Sequence, residues 1–213
     1  MSKVQTDGWF SLRDLTHKCA QCYWVLTQHR LAGCEWGRRE FPNAQTCGKF
    51  QDDKMSQFDQ ALEIILQSEG GYVDHANDPG GETRYGITKQ VARDYGYIGD
   101  MRSLPINTAA EIYKVKYWDA CKCDELPWPL SLYVFDAAVN QGVSAATRML
   151  QNVLQTVQDG IIGDTTLRLA KASGEHQAVR YLSERSMRYV NTRNFDTFGY
   201  GWLNRLFTLA KKS

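Results

Sequence analysis

Apolar residues return at helical spacing soon after residue 55. Phe58, Ala61, Leu62 and Ile65 lie three and four apart behind Ser56, a candidate N-cap, and Ile64 and Leu66 widen the face to be buried. Gly70-Gly71 marks the expected end of that helix, which leaves Glu69 in its last turn, where the helix dipole disfavours a carboxylate. Residues 70–88, with five glycines and a proline, lose the period and read as loops or a short hairpin. Helical patterning resumes over Thr88 to Tyr95, and again over Ala110 to Trp118, for which Thr108 and Glu111 have capping-box spacing. Pro127 and Pro129 bracket Trp128 as a break. Beyond it, 130–140, 145–156, 164–173, 176–192 and 202–211 read as helices. The pattern predicts a mainly α fold with one small β element.

The first quarter of the chain differs. Gly48 to Ser56 reads as a linker, which divides a small Cys-rich module at 1–54 from a helical unit. The helical unit splits in turn into halves at 55–125 and 126–213. With 43% hydrophobic and 23% charged residues, the 213-residue chain has enough apolar material for a core and is not a disordered sequence.

Charge is balanced overall at 25 basic and 24 acidic side chains, which argues against nucleic acid as a partner. Locally the balance is 8 to 6 over 1–54, 7 to 12 over 55–125 and 10 to 6 over 126–213. The basic residues of the last part, including Arg180, Arg185, Arg188, Arg193, Lys211 and Lys212, are expected on solvated helix faces. No apolar run approaches the roughly 20 residues of a bilayer span. Asp7, Asp14 and His17 interrupt any apolar core of a signal peptide, so synthesis in the cytoplasm without an export signal is expected.

Four of the six cysteines crowd the N-terminal module as Cys19-x2-Cys22, then Cys34 after eleven residues and Cys47 after twelve more. One tight pair and two returning thiolates have the spacing of a metal site, with buried or spare thiols as the alternative, and in a reducing compartment a metal is favoured over disulfides. Tyr23, Trp24, Trp36, Phe41 and Phe50 would shield such a site. The segment resembles small modules that hold a [4Fe-4S] cluster in the manner of high-potential iron–sulfur proteins, and Zn2+ suits the same four ligands. Cys121 and Cys123 stand apart, either as a redox pair or as buried, unreactive thiols.

The most informative constellation is Glu69 at a helix end, Asp78 in a Gly-rich loop and Thr83 five residues on. Glycosidic hydrolysis needs one protonated acid and one ionised carboxylate; partly apolar surroundings at a helix C-terminus favour the first, and a polar loop favours the second. Tyr72 and Tyr85 offer faces on which a sugar ring can stack. Asn140 and Gln141 are candidates for the far wall of a sugar cleft, or else satisfy a helix end. Spacing alone leaves Glu69 open as a solvated carboxylate and Asp78 as an Asx turn before Pro79.

Glu69-Gly-Gly-Tyr72, Asn77-Asp-Pro-Gly-Gly-Glu-Thr83 and Tyr85-Gly-Ile-Thr88 resemble the signature of the glycoside hydrolase family 108 endolysins, lysozyme-like N-acetylmuramidases. Phe135-Asp-Ala-Ala-Val-Asn-Gln-Gly142, Asp159-Gly-Ile-Ile-Gly-Asp-Thr-Thr166 and Trp202-Leu-Asn-Arg205 are similar to the peptidoglycan-associated C-terminal half found with that family. The resemblance runs from about Phe58 to Arg205 and leaves out residues 1–54. It implies a lysozyme-like helical fold and cleavage of peptidoglycan glycan strands between N-acetylmuramic acid and N-acetylglucosamine. Glu69 would be the catalytic acid, assisted by Asp78 and Thr83, with no cofactor for catalysis. A holin-like membrane protein is the implied partner that gives access to the wall. Two rivals remain at this level: a lytic transglycosylase, which leaves an anhydro end, and a non-catalytic wall-binding protein.

Overall fold

A computed structural model of the chain describes residues 55–67, 71–74 and 81–213. Backbone contacts divide the chain at Met55, and Ser56–Ser213 groups as one compact unit. The expected 1–54 module therefore lies outside the described residues.

Helix α1 (Gln57–Leu66) opens as the pattern requires. Ser56 is extended, and its hydroxyl accepts from the Asp59 amide at 3.1 Å. Phe58, Ala61, Leu62, Ile64 and Ile65 are buried. The helix closes at Gln67, three residues before the glycine pair expected to stop it.

Strands β1 (Thr83–Arg84) and β2 (Ile87–Thr88) form an antiparallel hairpin in the register Thr83 to Thr88 and Arg84 to Ile87. Its two-residue turn places Tyr85 and Gly86 at φ values of 51° and 72°, matching the right-handed twist of the strands. Helix α2 (Lys89–Asp94) follows at once, capped by the Thr88 hydroxyl on the Val91 amide.

Helix α3 (Ile106–Tyr113) corrects one expectation. It begins ahead of the proposed capping box: extended Pro105 is its N-cap, Thr108 lies within its first turn, and the Glu111 carboxylate accepts from the Tyr95 hydroxyl at 3.1 Å. A proline's fixed φ starts the helix without a side-chain cap. A π turn (Lys114–Trp118) continues it and delivers Trp118 to the core.

Helix α4 (Leu130–Gln141) is the central element. Its nine residues from Leu130 to Ala138 are all buried, so α4 has no solvent face over that stretch. It packs against α1, α5 (Val143–Val153) and α7 (Glu175–Val190). An aromatic cluster joins these parts: the rings of Phe58 and Trp118 are 5.5 Å apart, Trp118 and Phe135 5.2 Å, and Tyr113 and Phe135 6.1 Å, all near edge-to-face. Cys121 and Cys123 are fully buried beside this core.

Helices α6 (Asp164–Lys171) and α8 (Phe195–Lys212) complete the unit. The last begins seven residues earlier than expected, running through Gly199 and Gly201. At Gly199 the Phe195 ring lies against the backbone where a Cβ would stand, 2.6 Å from the nearest ring carbon, so the glycine admits the ring and the helix continues. A second correction concerns Arg185, expected on a solvated face: it is fully buried and donates to Asp136 at 2.8 Å. Asp136, equally buried, also accepts from Arg205 Nε at 3.0 Å and Nη2 at 2.7 Å, tying α4 to α7 and α8. Among the described residues no helix is long and apolar enough to cross a membrane.

Candidate active site

Of the predicted site residues, the structure describes Tyr72, Thr83, Tyr85, Asn140 and Gln141. Glu69 and Asp78 lie outside the described residues, as do Cys19, Cys22, Cys34 and Cys47. The flanks of the two carboxylate segments are described. Glu69 belongs to residues 68–70, between the C-cap of α1 and Gly71, and Asp78 to residues 75–80, between Asp74 and Gly81.

Val73 and Thr83, on either side of residues 75–80, pair with each other. Each amide donates to the other's carbonyl at 2.8 Å, an isolated antiparallel bridge that extends the hairpin by one strand position. Thr83 is half-buried, and its hydroxyl donates to the Gly81 carbonyl at 3.3 Å, a long bond that leaves the oxygen's lone pairs able to accept.

Tyr72 is the hub of the described site. Its hydroxyl donates to Glu82 Oε1 at 2.9 Å and lies 3.3 Å from Asp74 Oδ2, while the Arg102 guanidinium sits 5.2 Å from its ring centre. The ring thus meets a cation on one side and is partly buried against the core. Partial burial raises the Tyr72 phenol's pKa, the Arg102 hydrogen bond opposes that rise, and the Glu82 carboxylate adds to it. Glu82 itself is held below its ordinary value, first by the hydrogen bond from Lys89, 2.6 Å away, and then by that from Tyr72. Sequence analysis did not single out Glu82 or Arg102; the position of Glu82 between the paired glycines and Thr83 was the one signal available.

Tyr85 occupies the turn itself. Its carbonyl accepts from the buried Tyr113 hydroxyl at 2.9 Å, and its ring lies 5.0 Å from the Arg84 guanidinium. The left-handed backbone at Tyr85 is one that L-residues rarely adopt, and the Tyr113 bond fixes it.

Asn140 and Gln141 end α4, and the structure gives Asn140 the backbone role. Its amide donates to the Asp136 carbonyl at 2.7 Å, one turn back. Gln141 differs: among the described residues its side-chain oxygen is buried without a hydrogen-bond donor. No group of three or more His, Cys, Asp or Glu side chains is arranged to hold a metal among the described residues.

The family model described as Glycosyl hydrolase 108 matches residues 62–142, from α1 through the hairpin to the end of α4. A solved structure described as Brucella abortus SagA superposes with a TM-score of 0.65 at 31% identity, over 73% of this chain and 92% of that one. Comparison with curated proteins gives no match. The mainly helical, lysozyme-like fold with its small sheet agrees with both findings. On the matched motif region and the likeness across nearly the whole of that relative, the chain belongs to the glycosyl hydrolase 108 family.

Proposed function

We propose that the chain is a phage-type endolysin that hydrolyses the β-1,4 bond between N-acetylmuramic acid and N-acetylglucosamine in peptidoglycan. The observation that carries this reading is the family-model match over residues 62–142, which takes in Glu69, Asp78 and Thr83, with the Val73–Thr83 bridge pairing the described residues on either side of 75–80.

Glu69 protonates the leaving glycosidic oxygen. Asp78 stabilises the oxocarbenium-like transition state or activates water with Thr83, whose hydroxyl has acceptor capacity to spare. Tyr72 and Tyr85 border the sugar, with Gln141 at its far wall. No cofactor takes part in the hydrolysis. Cys19, Cys22, Cys34 and Cys47 hold a separate structural or redox-sensitive centre, [4Fe-4S] or Zn2+. As an endolysin, the enzyme is made in the host cytoplasm and reaches the wall through a holin-like partner, causing lysis.

Mass spectrometry of fragments released from purified Gram-negative peptidoglycan tests the reading. Wild-type protein releases fragments with reducing N-acetylmuramic acid ends, and Glu69→Gln lowers the rate by about 10²–10⁴-fold, the range for loss of a general acid. Anhydro ends would instead identify a transglycosylase. The absence of fragments from wild-type protein would leave a wall-binding role.

A further inference from the structure

Beside the hairpin, away from the turn, lies a polar cleft of about 310 Å³ lined by Glu82, Lys89, Arg93, Asp100, Met101 and Arg102. That volume is at the small end of the ligand-site range, enough for a few heavy-atom groups rather than a saccharide chain. Its two carboxylates are already engaged. Glu82 is paired with Lys89 at 2.6 Å and accepts from Tyr72, and Asp100 accepts from the Arg102 backbone amide at 2.8 Å, capping the turn Met101–Ser103. Arg93 spends one donor on the Tyr97 carbonyl at 3.1 Å. Among the described residues, neither Arg93 nor Arg102 forms a salt bridge with a carboxylate.

A guanidinium has five N–H donors in a planar fork, and Arg102's contact with Tyr72 leaves most of them available. The lining carries three cations against two acids, with Asp74 also close to Arg102 beside the Tyr72 hydroxyl, and a bidentate carboxylate is the group that the Arg102 fork fits. The cleft also adjoins the proposed sugar site through two direct links: Glu82 precedes Thr83 in the chain, and Arg102 lies over Tyr72. A carboxylate reaching it would therefore hang from a sugar bound at Tyr72 and Thr83. Muramic acid carries such a branch, the lactyl ether with its peptide stem.

We propose that this cleft binds a carboxylate of the peptide stem borne by the muramic acid, with Arg102 as the principal partner and Arg93 as the second. The site would make the enzyme prefer stem-bearing strands to bare glycan. This inference rests on the peptidoglycan reading above.

The direct test is calorimetric titration of the full-length protein with the soluble stem tripeptide freed from purified wall by an amidase. Wild-type protein binds it, Arg102→Gln weakens binding about tenfold, as expected for loss of a partly exposed charge-assisted contact, and Arg102→Lys recovers part of the loss. The same peptide with its carboxylates amidated binds as weakly to wild type as the free peptide does to Arg102→Gln. No saturable binding to wild type, or equal affinity for Arg102→Gln, overturns the proposal. In parallel, the ratio of kcat/KM on stem-bearing wall to that on amidase-stripped glycan whose freed lactyl carboxylates have been converted to amides falls about tenfold in Arg102→Gln. An equal loss on both substrates would assign Arg102 to the support of Tyr72 and also overturn it. Wild-type protein that cleaves neither substrate refutes the hydrolase reading, and the peptide titration still decides the cleft.

Discussion

Replacing Asp136 by Asn should be among the most damaging isosteric changes in this chain. The side chain is fully buried and accepts from two arginines: Arg185 at 2.8 Å, itself fully buried, and Arg205 at 3.0 and 2.7 Å, whose side chain is 16% exposed. Asn keeps the shape but removes the charge, so Arg185 is left as a buried cation whose Nε already lacks an acceptor among the described residues. Breaking a buried pair this way costs about 3–5 kcal/mol. For a unit of this length that is a fall in Tm of about 6–20 °C. Arg205→Gln should cost less, about 1–2 kcal/mol, because water reaches part of that side chain. Thermal and urea unfolding followed by far-ultraviolet circular dichroism measure both. A Tm within about 3 °C of wild type for Asp136→Asn, or a larger loss for Arg205→Gln, would refute the argument.

The same carboxylate predicts a pH dependence. Burial alone would raise its pKa, but the Arg185 and Arg205 guanidiniums outweigh burial and hold it below the ordinary value. A depressed folded pKa stabilises the native state above the unfolded value, near pH 3.9, and the contribution disappears as pH falls through the folded value. Wild-type stability should therefore drop below about pH 4, and Asp136→Asn should show a shallower drop over that window.

Three further outcomes follow from the packing. Trp118→Ala empties the centre of the Phe58–Phe135 cluster and should cost about 3–5 kcal/mol in urea unfolding; a cost under about 1 kcal/mol would mean the cluster does not support the core. Gly86→Ala places a Cβ at φ 72° and should cost about 1–2 kcal/mol, with Gly86→Asn closer to wild type, since Asn tolerates that backbone; a reversed order of the two variants would exclude the turn geometry described. Alkylation of the native protein, mapped by mass spectrometry, should spare fully buried Cys121 and Cys123 until denaturant is added, and rapid labelling of either would contradict their burial.

Local chemistry made much of the fold legible from the chain alone. Ser56 and Thr88 cap the helices predicted to follow them, and the Gly-rich run from 70 to 88 contains the hairpin, because caps and turns act over three or four residues. The motif of Glu69, Asp78 and Thr83 pointed to the family for a related reason: it is a contiguous stretch of sequence. Where the pattern misled, packing had intervened. Gly199 looks like a helix breaker until the Phe195 ring is laid against it, and Thr108 and Glu111 look like a capping box until Pro105 and Tyr95 take over their roles.

What the sequence determined by itself was the order and type of the main elements and the family motif, since these follow from neighbours along the chain. The tertiary structure decided which charges are buried and which remain to meet a ligand. Arg185 and Arg102 are equally cationic in the sequence, yet one lies 2.8 Å from a buried Asp136 49 positions away, and the other sits over Tyr72 at the edge of a cleft. The energy of a charge is set by the dielectric and the partners around it, and those arise from segments that meet only when the chain has folded.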